Sequence, residues 1–73
     1  MPNTIRSSEY KEVIKKLKAA RIAVGLSQKE VAKRLNKSQS YVSKIEAGEQ
    51  RIDIIELQVF SNLYKKDIKY FIK

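Results

Sequence analysis

Apolar residues recur along the chain at three- and four-residue spacing almost throughout, and alternation of the strand kind is weak. The pattern predicts five helices and an all-α fold. The first is expected from about Ser8 to Val24, with Tyr10, Val13, Ile14, Leu17, Ala20 and Val24 on one face. Glu9 and Glu12 fall in its first turn, where the helix dipole favours acids, and Gly25 stands where a left-handed stop belongs. Ser27 and Glu30 have capping-box spacing, which predicts a second helix over 28–35 with Val31, Ala32 and Leu35 as its apolar stripe. Asn36-Lys37-Ser38 interrupts that stripe: Asn tolerates the left-handed backbone, and Ser38 suits the cap of a third helix. This third helix, about 39–47, buries Val42 and Ile45 and ends at Gly48. Asp53 and Glu56 repeat the capping-box spacing before a fourth helix, about Ile54 to Tyr64, with Leu57, Phe60 and Tyr64 inward. Asp67 can cap a last short helix carrying Ile68, Phe71 and Ile72. Residues 1–7 are too polar to pack and are expected to form a flexible N-terminal arm, which leaves 8–73 as a single domain.

Two short helices, 28–35 and 39–47, joined by a turn of three residues, must pack steeply on each other to be stable at all. A steep crossing needs a small side chain at the contact. Ala32 supplies it, with Val42 and Ile45 opposite, and the pair reads as a helix-turn-helix unit. Removing the core positions from the third helix leaves Ser38, Gln39, Ser40, Ser43 and Lys44 outward, with Tyr41 at the edge and no acid among them. Gln pairs with adenine edges, Ser donates or accepts, and Lys reaches guanine or phosphate. Each residue taken singly is ordinary polar surface. As a set on one capped helix, Gln39, Ser40, Ser43 and Lys44 are read as candidates for contacts to DNA bases.

The composition narrows the classes. The chain has 73 residues, 16 Lys and Arg against 8 Asp and Glu, and no Cys or His. Disulfides, the usual zinc sites, and Cys or His catalysis are thereby excluded. All of the net +8 sits in residues 1–45, with eleven basic side chains and three acids; residues 46–73 carry five of each. A one-sided basic field suits nucleic acid or an anionic membrane surface, and equally a Lys-rich surface that only keeps the chain soluble. No apolar run approaches the ~20 residues that span a bilayer, and Met1-Pro2-Asn3-Thr4 is not expected to open a signal peptide. The expectation is a cytoplasmic protein, or a nuclear one in a eukaryote, that is not an enzyme and has no cofactor, no metal, no membrane association and no small-molecule ligand.

Residues 27–48, SQKEVAKRLNKSQSYVSKIEAG, resemble the helix-turn-helix of phage repressors, Cro proteins and their bacterial relatives. The family pattern is met by Gln28, Ala32, Gln39, Val42, Ile45, Glu46 and Gly48, and the resemblance extends over about residues 10–72. Two departures lie in the turn, where the family usually has Gly at Asn36 and an apolar residue at Lys37. The resemblance implies a compact five-helix, lambda-repressor-like domain that binds double-stranded DNA and regulates transcription. Gln39, Ser40 and Lys44 would face the major groove, with Ser43 deeper or to one side. Ser27 and Gln28 at the start of the second helix would meet a phosphate, and Ser38, Tyr41 and Arg51 would hold the DNA backbone. Lys37, Lys29 and Gln50 are further backbone candidates. Arg21 and Glu46 would form a structural ion pair between helix one and the end of helix three. With Glu46 so used, and Glu9, Glu12 and Glu30 placed at dipoles and a cap, no carboxylate pair remains for acid–base work.

One such unit reads only about four or five base pairs, so a homodimer on an inverted repeat with half-sites about 34 Å apart is expected. The terminal segment carries more apolar surface than a short helix buries. Ile55, Val59, Ile68, Tyr70, Phe71 and Ile72 are the candidate dimer face, with completion of the monomer core as the other reading of Ile68 and Phe71. No sensor domain is expected alongside this one, so control is expected to run through concentration, as in phage, plasmid or restriction–modification regulators. The alternative is an antitoxin-like interaction module whose main partner is another protein.

Overall fold

The computed structural model describes residues 8–72. Four α-helices follow one another, α1 (Ser8–Ala23), α2 (Gln28–Leu35), α3 (Gln39–Glu46) and α4 (Ile54–Leu63), and a 3-10 turn spans Ile68–Tyr70. There is no strand among the described residues. The expected arm at residues 1–7 lies outside them.

The fifth helix of the sequence pattern is corrected to a single 3-10 turn. Asp67 caps it as expected, its carboxylate accepting from the Lys69 amide at 2.9 Å. The amides of Tyr70 and Phe71 reach back to the carbonyls of Asp67 and Ile68. Only the Ile72 amide makes a longer, α-type bond, to Ile68 at 3.2 Å. So short a segment cannot offset the cost of nucleating an α-helix, and the tighter winding is the usual outcome.

Local chemistry sets the other boundaries. Ser27 and Asp53 each accept from the amide three residues on, while Glu30 and Glu56 return to the cap amides, so both capping boxes are closed. Each α-helix ends on a left-handed residue, Gly25, Asn36, Gly48 or Lys65 in turn. At each end two amides reach back to carbonyls of the last turn, as in a Schellman motif. Asn36, at φ 57°, adopts the turn that the sequence requires of it without a glycine. Lys65, at φ 60°, does so with a side chain poorly suited to that conformation. Lys65→Gly is expected to raise stability by about 0.5–1 kcal/mol, read as a shifted urea midpoint at unchanged slope. A lower midpoint would mean that the Lys65 side chain contributes more than its backbone costs.

The core joins all five elements: Ile14, Leu17 and Ala20 of α1, Val31 and Ala32 of α2, Val42 and Ile45 of α3, Leu57, Phe60 and Tyr64 from α4 and its cap, and Phe71. Ala32 is the small residue in this core on the α2 side, as the tight turn demands. Phe71 is 3% exposed, so its candidacy for a dimer face is corrected: it closes the monomer core. The reason is its place, one residue past the 3-10 turn, where the chain folds back beside Val13 of α1. Ile68 also packs against this core.

Candidate nucleic-acid interface

The outward face of α3 is built by what turns inward. Val42 and Ile45 are buried, and Glu46, the only acid in the helix, has its side chain 5% exposed beneath it. Gln39, Ser40, Ser43 and Lys44 are all exposed, so the four candidate base-reading residues share a surface that carries one positive charge and no negative one. Ser38 begins the helix, its hydroxyl oxygen accepting from the Tyr41 amide at 3.1 Å. Its own proton stays available to a phosphate oxygen.

Glu46 is held by three N–H groups. Arg21 Nε donates to one carboxylate oxygen at 2.7 Å and Nη2 to the other at 3.1 Å, while Gln28 Nε2 donates at 3.0 Å. Arg21 Nη1 also donates to the Leu26 carbonyl at 2.8 Å, which fixes the chain entering α2. With side chains 11% and 5% exposed, Arg21 and Glu46 form the expected ion pair between α1 and the end of α3. The share taken by Gln28 was not legible in the sequence. Its amide nitrogen has two protons, and the second remains for a phosphate.

The start of α2 lies beside Gln28. Ser27 accepts from the Glu30 amide at 3.0 Å, and its own amide donates to the Glu30 carboxylate at 2.8 Å. That backbone bond, with the Ser27 hydroxyl, holds the Glu30 carboxyl below its ordinary range.

The turn and the edge of α3 differ from expectation. The Tyr41 ring stacks on Phe60 with centroids 6.4 Å apart, and its hydroxyl donates to Glu56 at 2.8 Å. Burial, with Glu56 next to it, raises the phenol far above its ordinary value. A phosphate oxygen only accepts, so the Tyr41 hydroxyl cannot serve one while it serves Glu56. Tyr41 instead presents its ring, and the Lys37 ammonium sits 5.2 Å from the centroid. Lys37, exposed at the turn, is thereby held beside the start of α3.

Past α3, Gln50 is half-buried and Arg51 exposed in the loop between Gly48 and Asp53. Two bonds tie this loop to α1: the Tyr10 hydroxyl donates to the Gln50 carbonyl at 3.3 Å and accepts from the Ile52 amide at 3.0 Å. Burial pushes the Tyr10 phenol up, against the Ile52 hydrogen bond and the Arg51 charge, which pull it down. The sequence pattern places Tyr10 only on the apolar face of α1. No local signal could pair it with a loop some forty residues on.

Of the six candidate dimer residues, Ile55, Val59, Tyr70 and Ile72 are exposed, Ile68 is half-buried and Phe71 is buried. Ile55 and Val59 are exposed on α4, Ile55 at 70%. Tyr70 has the ammonium groups of Lys16 and Lys66 5.6 and 4.6 Å from its ring centroid. Ile72 lines grooves with Glu9, Glu12 and Val13 on one side and Ile54 and Leu57 on the other. Phe71 belongs to the core, and Ile68, half-buried, packs against it.

No helix among the described residues is long and apolar enough to cross a membrane. No curated protein and no solved structure gives a significant match to the chain. The helix-turn-helix family model matches residues 17–71, which takes in every element from the middle of α1 to the 3-10 turn. With that match spanning most of its length, the chain belongs to the Cro-type helix-turn-helix family of DNA-binding domains.

Proposed function

We propose that this protein is a sequence-specific regulator of transcription that binds double-stranded DNA as a homodimer, with α3 in the major groove of each half of an inverted repeat. The observation that carries the reading is the face of α3. Gln39, Ser40, Ser43 and Lys44 stand out together, and the one acid of the helix is withdrawn into a buried ion pair. Ser27, Gln28, Lys37, Ser38, Gln50 and Arg51 flank it as the phosphate contacts. In this reading the protein acts by binding, and five of its eight acids serve the fold: Glu30, Asp53, Glu56 and Asp67 in helix caps and Glu46 in its ion pair. Control through its own concentration, in the manner of phage, plasmid or restriction–modification regulators, fits this design.

Dimerisation through α4 is supported by charge. The exposed residues of that helix, Ile54, Ile55, Gln58, Val59 and Asn62, carry none, in a chain with a net charge of +8. Two copies repel least where that face meets its equivalent. The same exposed apolar side chains favour the second reading, an antitoxin-like module that docks a different protein there.

Selection from random duplexes followed by footprinting tests the proposal, the expected product being a short inverted repeat protected on one face of the duplex. Gln39→Ala is expected to relax preference at one or two positions, at about 1–3 kcal/mol on the selected site. Arg51→Ala is expected to weaken selected and random duplexes alike. Equal losses on every sequence for both variants would reassign the two roles.

A further inference from the structure

The loop after α3 has little of its own to hold it. It contains no regular structure between Glu46 and Ile54, and its start is tied to the last turn of α3 by amides of Gly48, Glu49 and Gln50 reaching back to Ile45 and Lys44. Beyond Gln50 the chain passes through an exposed Arg51 before Asp53 caps α4. The Tyr10 hydroxyl brackets Arg51 from both sides, donating to the carbonyl one residue before it and accepting from the amide one residue after it. Both partners are backbone groups, so the constraint falls on the path of the loop and not on any side chain.

We propose that Tyr10 is a positioning residue for DNA binding, fixing the loop so that the Arg51 guanidinium reaches a phosphate without a prior search among loop conformations. The proposal rests on the reading of this protein as a DNA-binding regulator. An exposed Arg on a free loop loses backbone and side-chain freedom each time it binds; a loop tied at residues 50 and 52 has already lost the backbone share. Tyr10 touches no nucleic acid in this scheme. It acts entirely through Arg51.

A double-mutant cycle tests this, with a selected and a random-sequence duplex followed by fluorescence anisotropy across a range of salt. Tyr10→Phe keeps the ring and removes only the hydroxyl. It is expected to lower affinity about three- to tenfold on both duplexes and to make the salt slope shallower by up to about one. In an Arg51→Ala background the same substitution is expected to cost nothing more. Unchanged affinity, or a full additional loss in that background, overturns the proposal. Circular dichroism at the binding temperature confirms that all four proteins are folded. Hydrogen exchange at the Ile52 amide, compared between the parent and Tyr10→Phe, gives a reading that needs no DNA: faster exchange in the variant is expected, and unchanged exchange overturns the proposal. Were the parent to bind no duplex, the regulator reading would fall, and the Ile52 amide would still decide whether Tyr10 holds the loop.

Discussion

Arg21→Met is expected to destabilise the fold by about 3–5 kcal/mol, the largest single effect of any substitution considered. The Glu46 carboxylate is 5% exposed and takes two of its three side-chain hydrogen bonds from Arg21. Without the guanidinium it loses two of its three side-chain hydrogen bonds in a place that is almost closed to solvent. The Leu26 carbonyl loses its donor at the same time. Domains of this size have total stabilities at the low end of about 5–15 kcal/mol, so the variant is expected to be largely unfolded near physiological temperature. Urea denaturation followed by circular dichroism measures the loss. The double replacement Arg21→Met/Glu46→Met is expected to recover most of it, because it removes both charges and restores apolar packing. DNA affinity should follow the folded fraction in both proteins. If Arg21→Met stays fully folded yet fails to bind, Arg21 contacts DNA directly and its structural role is wrong.

The second large effect is on affinity. Lys29, Lys37 and Arg51 are exposed cations beside the proposed base-reading face, and a homodimer doubles them. About six phosphates neutralised by two protomers predict a loss of roughly a thousandfold in affinity between about 50 and about 200 mM salt. The dependence belongs to the phosphate contacts, so a selected and a random duplex should show similar slopes while differing in absolute affinity. The interaction-module reading makes the opposite forecast. A complex formed through Ile55 and Val59 with another protein buries uncharged surface and should vary little over the same range. A flat salt response on DNA, with tight binding retained, would remove the phosphate-clamp part of the functional reading.

The parts of this structure that the sequence made legible share one property: their chemistry closes within a few residues. Ser27 with Glu30, Asp53 with Glu56, and Asn36 in the turn are each satisfied by neighbours, so spacing alone located α2, α3 and α4 to within a residue or so. The face of α3 was legible for the same reason, since periodicity separates Val42 and Ile45 from Gln39, Ser40, Ser43 and Lys44. What spacing could not convey is where one helix meets another. The Tyr41 hydroxyl turning to Glu56, and the Tyr10 hydroxyl to Gln50 and Ile52, both depend on how the elements are arranged in space. Phe71 could belong to either a core or an interface until the return path of the chain was known. Lys65 was missed because the left-handed stop at the end of α4 has none of the residues that usually announce it. The Arg21–Glu46 pair, also distant in sequence, was reached only through likeness to the phage repressor and Cro family.

Tyr41 in the first turn of α3 is bonded to Glu56, and Glu46 in its last turn to Arg21 and Gln28. On the proposed reading of α3 as the recognition helix, fastening at both ends leaves it little room to adjust, so misfit with the DNA falls largely on the duplex. Base steps that kink or twist easily, such as TA and CA, then become favourable at places that no side chain touches. Operator choice would in that case include the mechanical softness of the DNA as well as the letters that Gln39 and Lys44 can read.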